Sequence, residues 1–448
     1  MTQPPHILIL GGGYAGFHVA KGLRRDVREG RMRVTVVEPA PYLTYKPLLP
    51  EVAGGETAPR DATVALRSAL HHVALVAGEA LSVDCDARTA VVRSEDGVER
   101  AVSYDQVVFA MGSETKALPI PGLEDNAVGF NTLEEAVYLR DHVLDRIRFA
   151  ATVADSAERE RALTFVFVGG GYTGVEAIAE LQELAKRQHS TFPSLRGQPM
   201  TWLLVEAADR IAAELSKGLS QWTLDTLRKR GITVLLKTEM KTCEGGVVEL
   251  SNGQKHPADT IVWSAGVAPA PVLQRMNVPT GAKGHAQADG CLRLVRDDGS
   301  IISGAWALGD DAQVPKPSSG SKPSYYPPNA QNALRQARQL ADNIRRDLQG
   351  QPPVEYQHES LGTLASYGGH EGAAVVKGVQ LHGTPAWLVD KAYHALAMPS
   401  MSRRIRLVLG WIANALARRD LTSTSAVRHP MRPFQKAVAV AKAHAHQG

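Results

Sequence analysis

The chain has 448 residues, 44% of them hydrophobic and 21% charged, with 40 glycines; this excludes a stapled mini-domain, a disordered chain and a collagen-like repeat, and predicts about three folding units. The formal net charge of +4 is unevenly spread, because residues 403 to 448 hold nine Lys and Arg against Asp420 and leave the first 402 residues at −4. A basic tail of this kind suits an anionic partner surface.

The opening segment, MTQPPHILIL, has no basic stretch ahead of its apolar run and reads as a first strand, not a signal peptide. The strand enters the glycine turn GGGYAG, the helical stretch FHVAKGLRRDV and a second apolar run, RVTVVE, ending on Glu38. Short β-like runs follow, TAVV and QVVFA, the latter breaking at Ala110, Met111, Gly112 and Ser113. The pattern then repeats: FVFVGGGYTG at 165 to 174 lies 158 positions after ILILGGGYAG, and WLLVE closes on Glu206 after the longer connection HSTFPSLRGQPM. GITVLL and TIVWSAGV come next, the latter breaking at Ala265 and Gly266, and GAWALGDDA ends a further strand at Gly309 and Asp310. The segment 311 to 328 reads as a loop and NAQNALRQARQLADNIRRDL as a helix. The predicted fold class is α/β, with two Rossmann-like dinucleotide-binding domains. The first domain is discontinuous (1–130 and 290–350), the second (131–289) is inserted, and 351–448 form a C-terminal region.

Gly11, Gly13 and Gly16, and again Gly169, Gly171 and Gly174, have the spacing that allows a tight turn, a close backbone approach to pyrophosphate and close helix packing. The helix amides that follow are free to meet phosphate. Glu38 and Glu206 suit ribose hydroxyls, and Glu206 disfavours a 2′-phosphate, so NADH is expected over NADPH; Arg210 is the counter-indication. Two nucleotide sites without a metal motif or Walker lysine point to hydride transfer between a nicotinamide and a flavin. Glu176, two residues after Gly174, either complements the helix dipole or relays protons at the rings. The first copy has His18 there, so the fold does not demand an acid. The cysteines, Cys85, Cys243 and Cys291, show no CxxC spacing, and fit a reducing compartment and structural roles.

Nearly the whole chain resembles a type II NADH dehydrogenase, the single-subunit NADH:quinone oxidoreductase that pumps no protons. The resemblance rests on GGGYAG, YLTYKPLLPEVAGG, FAMGSET, NTLEEAVYLRDHV, VGGGYTGVEAIAEL, VWSAGV, ALGD, PPNAQNA and AWL with its following helix. It implies that Gly11, Gly13, Tyr14, Ala15, Gly16 and Glu38 hold FAD. Lys46, Pro47, Ala110, Gly112, Gly309, Asp310 and Ala330 would lie along the same cofactor. Gly169, Gly171, Tyr172, Thr173, Gly174, Glu206, Ala265 and Gly266 would hold NADH, and Glu176 and Gln331 would border the quinone. Arg335 departs from the family, which often has glutamine there, and the loop KPSSGSKPSYYPPNA is longer and more polar than usual. Both keep open an acceptor other than quinone. Residues 41 to 55 contain no cysteine, so the disulfide-reductase and sulfide:quinone readings do not apply.

In a helix over 403 to 419, Ile405, Val408, Leu409, Ile412, Ala415 and Leu416 share one face, with Trp411 at its edge and Arg403, Arg404, Arg406, Arg418 and Arg419 at its ends. That face would lie on the inner surface of the cell membrane or in a homodimer interface. Lys391 and His394, just upstream, are candidates for the acceptor channel. No run of 18 apolar residues occurs, no paired metal-ligand spacing is present, and no nucleic-acid partner is expected. The rival readings are a soluble flavin oxidoreductase with a non-quinone acceptor and an NADH-sensing flavoprotein with negligible turnover.

Overall fold

The computed structural model describes residues 3–276, 278–317, 324–360, 362–417 and 419–445, with side chains as far as Val438. The chain begins in a parallel sheet with β1 (His6–Leu10), α1 (Tyr14–Arg28), β2 (Arg33–Val37), β3 (Ala74–Val76) and β4 (Gln106–Phe109). All five residues of β1 are buried, because β1 lies between β2 and β4 with elements packed on both faces; the run HILIL is therefore continuous rather than alternating. It pairs with β2 from His6↔Arg33 to Leu10↔Val37, and with β4 from Ile7↔Gln106 to Leu10↔Phe109.

The chain then leaves for a second sheet. β5 (Val128–Gly129) precedes α3 (Leu133–Ala150), which starts at a capping box: Glu135 N–H donates to Thr132 Oγ1 at 3.2 Å, and Thr132 N–H donates to Glu135 Oε2 at 2.9 Å. There follow β6 (Thr164–Val168), α4 (Tyr172–Ser190), β7 (Thr201–Val205), β8 (Thr233–Leu235) and β9 (Thr260–Trp263), in the spatial order β5-β9-β6-β7-β8. The chain returns through β10 (Arg293–Val295) and β11 (Ile301–Ala307), which pairs with β4 and completes the first sheet as β10-β11-β4-β1-β2-β3. The two crossings are sewn together by a ribbon in which Ser113–Thr115 runs antiparallel to Val267–Pro269.

α5 (Ala330–Leu348) packs on α1. Beyond it stand an antiparallel sheet of β12 (Gly362–Ser366), β13 (Gly372–Val376) and β14 (Val379–His382), then α6 (Thr384–Ala397) and α7 (Met401–Leu416). α7 is displaced from the expected 403 to 419: Ala417 leaves the helical region at φ −111°, ψ 160°, and Arg418 lies outside the described residues. The expected apolar face points outward, with Ile405, Val408, Leu409, Ile412 and Leu416 exposed and Leu407 alone buried. Among the described residues no helix is long and apolar enough to cross a membrane.

Candidate active site

A cavity of about 1680 Å³ opens where the C-terminal ends of both parallel sheets face each other, the crevice in which open α/β sheets bind ligands. From the first glycine turn Gly13, Tyr14 and Ala15 line it; from the second, Gly169, Gly171, Tyr172 and Thr173 do. Glu38, Lys46, Pro47, Ala110, Gly112, Glu176, Glu206, Ala265, Gly266, Asp310, Ala330 and Gln331 complete the sequence-predicted wall.

The other predicted glycines stand behind it. Gly11 has φ +97°, and a Cβ on Gly16 would sit 1.9 Å from Gly11 O. The second turn repeats this with Gly169 at φ +112° and a Cβ on Gly174 2.0 Å from Gly169 O. These two contacts are packing requirements within the turns. Gly309, expected against the cofactor, does not line the cavity; its N–H donates to Gln336 Oε1 at 2.8 Å.

The two turns are also closed alike. Gly12 N–H donates to Glu38 Oε2 at 2.7 Å and Ala40 N–H to Glu38 Oε1 at 3.0 Å; Gly170 N–H donates to Glu206 Oε2 at 2.6 Å and Ala208 N–H to Glu206 Oε1 at 2.7 Å. Each acid thus braces its glycine turn and still presents lone pairs to the cavity. Arg210 turns away, donating to Ala213 O at 2.7 Å.

A dinucleotide fits the first cradle. A Cβ on Gly13 or on Gly112 would meet no atom within 4 Å, so both positions are open on the cavity side while their neighbours are packed. Lys46 Nζ donates to Asn131 Oδ1 at 3.0 Å, and Ser113 Oγ donates to Asp310 Oδ2 at 2.8 Å. Asn329 caps α5, its Oδ1 accepting from Asn332 N–H at 2.8 Å, which brings Ala330 and Gln331 to the cavity at a helix N-terminus.

Glu176 is half-buried in the wall. Burial, then the charge of Asp390, raises its carboxyl well above the usual range, against the opposing hydrogen bond from Ser366 N–H at 2.9 Å. A protonated carboxyl is the state these surroundings favour.

Asp311 and Tyr45, which the sequence did not single out, belong here, and His394, a candidate for the acceptor channel, lies at the cavity wall. Asp311 is fully buried beneath the cavity, accepts from the Met111 amide, and burial pushes its carboxyl up to about 7. Tyr45 Oη and His394 Nδ1 share a 2.9 Å hydrogen bond at the cavity wall, and His394 Nε2 lies 3.3 Å from Asp390 Oδ1. Asp311 was visible as the residue after Asp310, but nothing in the sequence pairs Tyr45 with a histidine 349 positions away.

Three expectations are corrected. Lys391 does not reach the cavity: it is buried between Glu51 Oε1 at 2.8 Å and Glu56 Oε2 at 2.9 Å, over the Trp411 ring at 4.8 Å. Burial alone would lower its pKa, and the two carboxylates reverse this. Arg335 does not line the cavity either; its Nη1 donates to Gln331 Oε1 at 3.4 Å from one turn behind. Arg419, expected to meet headgroups, is buried against Glu180 Oε2 at 3.0 Å and Glu56 Oε2 at 3.5 Å. Trp411 likewise points inward, donating to Glu51 Oε2 at 2.8 Å.

The sequence matches the model of the pyridine nucleotide-disulphide oxidoreductase family over residues 5–337. It is 26% identical over 425 residues to a probable NADH dehydrogenase of Dictyostelium discoideum, covering 93% of this chain and 91% of that protein. It is also 26% identical over 422 residues to a type II NADH:quinone oxidoreductase of Mycobacterium tuberculosis, covering 90% and 86%. In fold it is similar to the NDH2 of Plasmodium falciparum solved in complex with NADH, at TM-score 0.85 and 18% identity over 93% of this chain and 99% of that one. The sulfide:quinone oxidoreductase of Aquifex aeolicus is similar at TM-score 0.68 and 18% identity, over 92% and 93%.

Proposed function

The chain belongs to the pyridine nucleotide-disulphide oxidoreductase family, and from that premise we propose that it is an FAD-dependent NADH:quinone oxidoreductase that pumps no protons. The observation that supports this most directly is one cavity whose walls hold two braced glycine turns together with Glu176 and Gln331. The first turn and Glu38 would hold FAD, which would supply the two-electron chemistry between NADH and an acceptor.

The chain's own groups bind and orient. The first turn and Glu38 receive the adenosine diphosphate half of FAD, with Lys46, Pro47, Gly112, Asp310 and Ala330 along the rest. The second turn, Glu206 and the Ala265–Gly266 backbone receive NADH. Glu176 holds a proton at the wall and Gln331 presents an amide to the same cavity, the space an acceptor ring would enter. Cysteine chemistry is not used: the three thiols are free, none lines the cavity, and burial pushes that of Cys85 up to about 11.

The quinone is reached from the membrane. The exposed apolar side chains of α7, with Leu388 and Leu396 on α6, suit peripheral attachment at the cytoplasmic face, where NADH is supplied.

Anaerobic mixing with NADH tests the assignment. Flavin absorbance bleaches, and a short-chain quinone then restores it within one turnover. Bleaching without recovery would retain the reductase and eliminate quinone as acceptor.

A further inference from the structure

α7 starts with no side-chain cap. Ser400, the residue before it, is extended at φ −116° and ψ 127°; its hydroxyl lies 3.0 Å from Ser402 Oγ and not on a helix amide, and no acid stands in the first turn. A cleft of about 500 Å³ opens beside this end, between α1, the strand Thr63–Ala65 with the helix after it, and the turn at Pro399.

The cleft is lined by four permanent or near-permanent cations, Lys21, Arg24, Arg403 and Arg406, with His71 and the serines, and by no Asp or Glu. Lys21 Nζ donates to Pro399 O at 3.0 Å and Arg404 Nε donates to Met398 O at 2.7 Å, so backbone carbonyls hold two cations at the turn. Asp61 pairs with Arg403 at 3.5 Å from outside the lining. Burial and then the charges of Arg24, Arg404 and Arg338 keep the Lys21 ammonium below its ordinary range. Like charges gathered in one concavity repel each other, and a multivalent oxyanion relieves that repulsion while accepting from serine hydroxyls and helix amides.

We propose that this cleft binds the phosphate group of an anionic phospholipid. The lipid, rather than a free phosphate, is the occupant because Met401, Ile405, Val408, Leu409 and Ile412 extend from the cleft along the exposed face of the same helix. A headgroup in the cleft therefore leaves its acyl chains beside that face. The proposal rests on the membrane attachment described above and adds to it a discrete headgroup site.

The test is co-sedimentation of the flavin-loaded enzyme with phosphatidylcholine vesicles, and with vesicles containing about one-third phosphatidylglycerol, at physiological ionic strength. Phosphatidylglycerol raises wild-type partitioning roughly tenfold. The R24E/R406E variant loses that increment, keeps its binding to phosphatidylcholine and keeps its rate of flavin reduction by NADH. The control R432E/K436E, which reverses exposed tail cations, loses less than half of it. Equal losses in the two variants would overturn the site in favour of diffuse surface charge. A wild type that binds phosphatidylcholine with no increment would overturn the site and leave membrane attachment standing. Failure to bind either vesicle would overturn attachment itself. Thermal stabilisation of the wild type by inorganic phosphate, abolished in R24E/R406E and without a vesicle increment, would reassign the cleft to a free phosphate.

Discussion

Glu176 Oε1 accepts the backbone N–H of Ser366 at 2.9 Å, which ties the second turn of α4 to the end of β12. A carboxylate that merely complemented the helix dipole would be ionised at neutral pH. Burial, with Asp390, Glu51 and Glu180 near it, pushes Glu176 the other way, toward a group that can give a proton.

Glu176→Gln accordingly separates the two half-reactions. Flavin reduction by NADH stays within about twofold, while quinone turnover falls at least tenfold. Because the folded-state pKa is raised, the protonated form is complete at low pH and is lost as pH rises through that value. Wild-type quinone turnover therefore declines on the alkaline side, and the variant, measured by stopped-flow across pH, lacks this limb. Unchanged turnover would remove Glu176 from the proton path.

Asp311 gives a stability signature. Its carboxyl is raised to about 7 by burial, so its contribution is complete below the unfolded value of about 3.9 and is lost as pH rises to about 7. The loss is at most roughly 4 kcal/mol, at about 1.36 kcal/mol per pH unit. Wild-type Tm should fall more than that of Asp311→Asn between pH 5 and pH 8, and parallel curves would refute the shift.

Lys391→Met takes the ammonium from Glu51 and Glu56, which are 3% and 9% exposed, and leaves Glu56 with Arg419 at 3.5 Å. Removing one partner of a buried ion pair costs about 3–5 kcal/mol. Denaturant midpoints should record that loss, and K391M/E51Q/E56Q should recover at least half of it. A loss confined to the acceptor KM, with stability intact, would instead return Lys391 to the acceptor site.

Gly13→Val and Gly16→Val should fail differently. The first side chain enters open space, so the protein folds with native far-UV dichroism and purifies with little flavin. The second puts its Cβ 1.9 Å from Gly11 O, so the turn cannot close and soluble yield collapses. Flavin-replete Gly13→Val would refute the assignment of this cradle to FAD.

Glu206→Gln keeps an oxygen for one of the two amides and removes the negative charge that faces a 2′-phosphate. The ratio of kcat/KM for NADPH to that for NADH should rise about tenfold. Wild-type protein that already prefers NADPH would contradict the assignment.

Much of the site was legible because its elements are local. The runs HILIL and TFVFV are uninterrupted because both strands are buried on two faces. The glycine spacing reports contacts between residues five positions apart, Gly16 with Gly11 and Gly174 with Gly169. Lys391 and Arg419 were misread for the opposite reason. On a helix each looks like a solvent-facing or interfacial side chain, and only the arrival of Glu51, Glu56 and Glu180 from α2 (Leu49–Ala53), the loop after it and α4 supplies partners that turn them inward.

The sequence by itself determined the twofold strand, turn and helix unit, the acid that closes each turn, and the amphipathic face of α7. Each of these depends on short-range periodicity and steric limits on φ and ψ. Tertiary structure decided which charges are buried and paired, which acid keeps its proton, and that the cations of α1 and α7 share one cleft. Those outcomes depend on desolvation and Coulomb energies between groups hundreds of residues apart, and such energies exist only once the chain has brought the groups together.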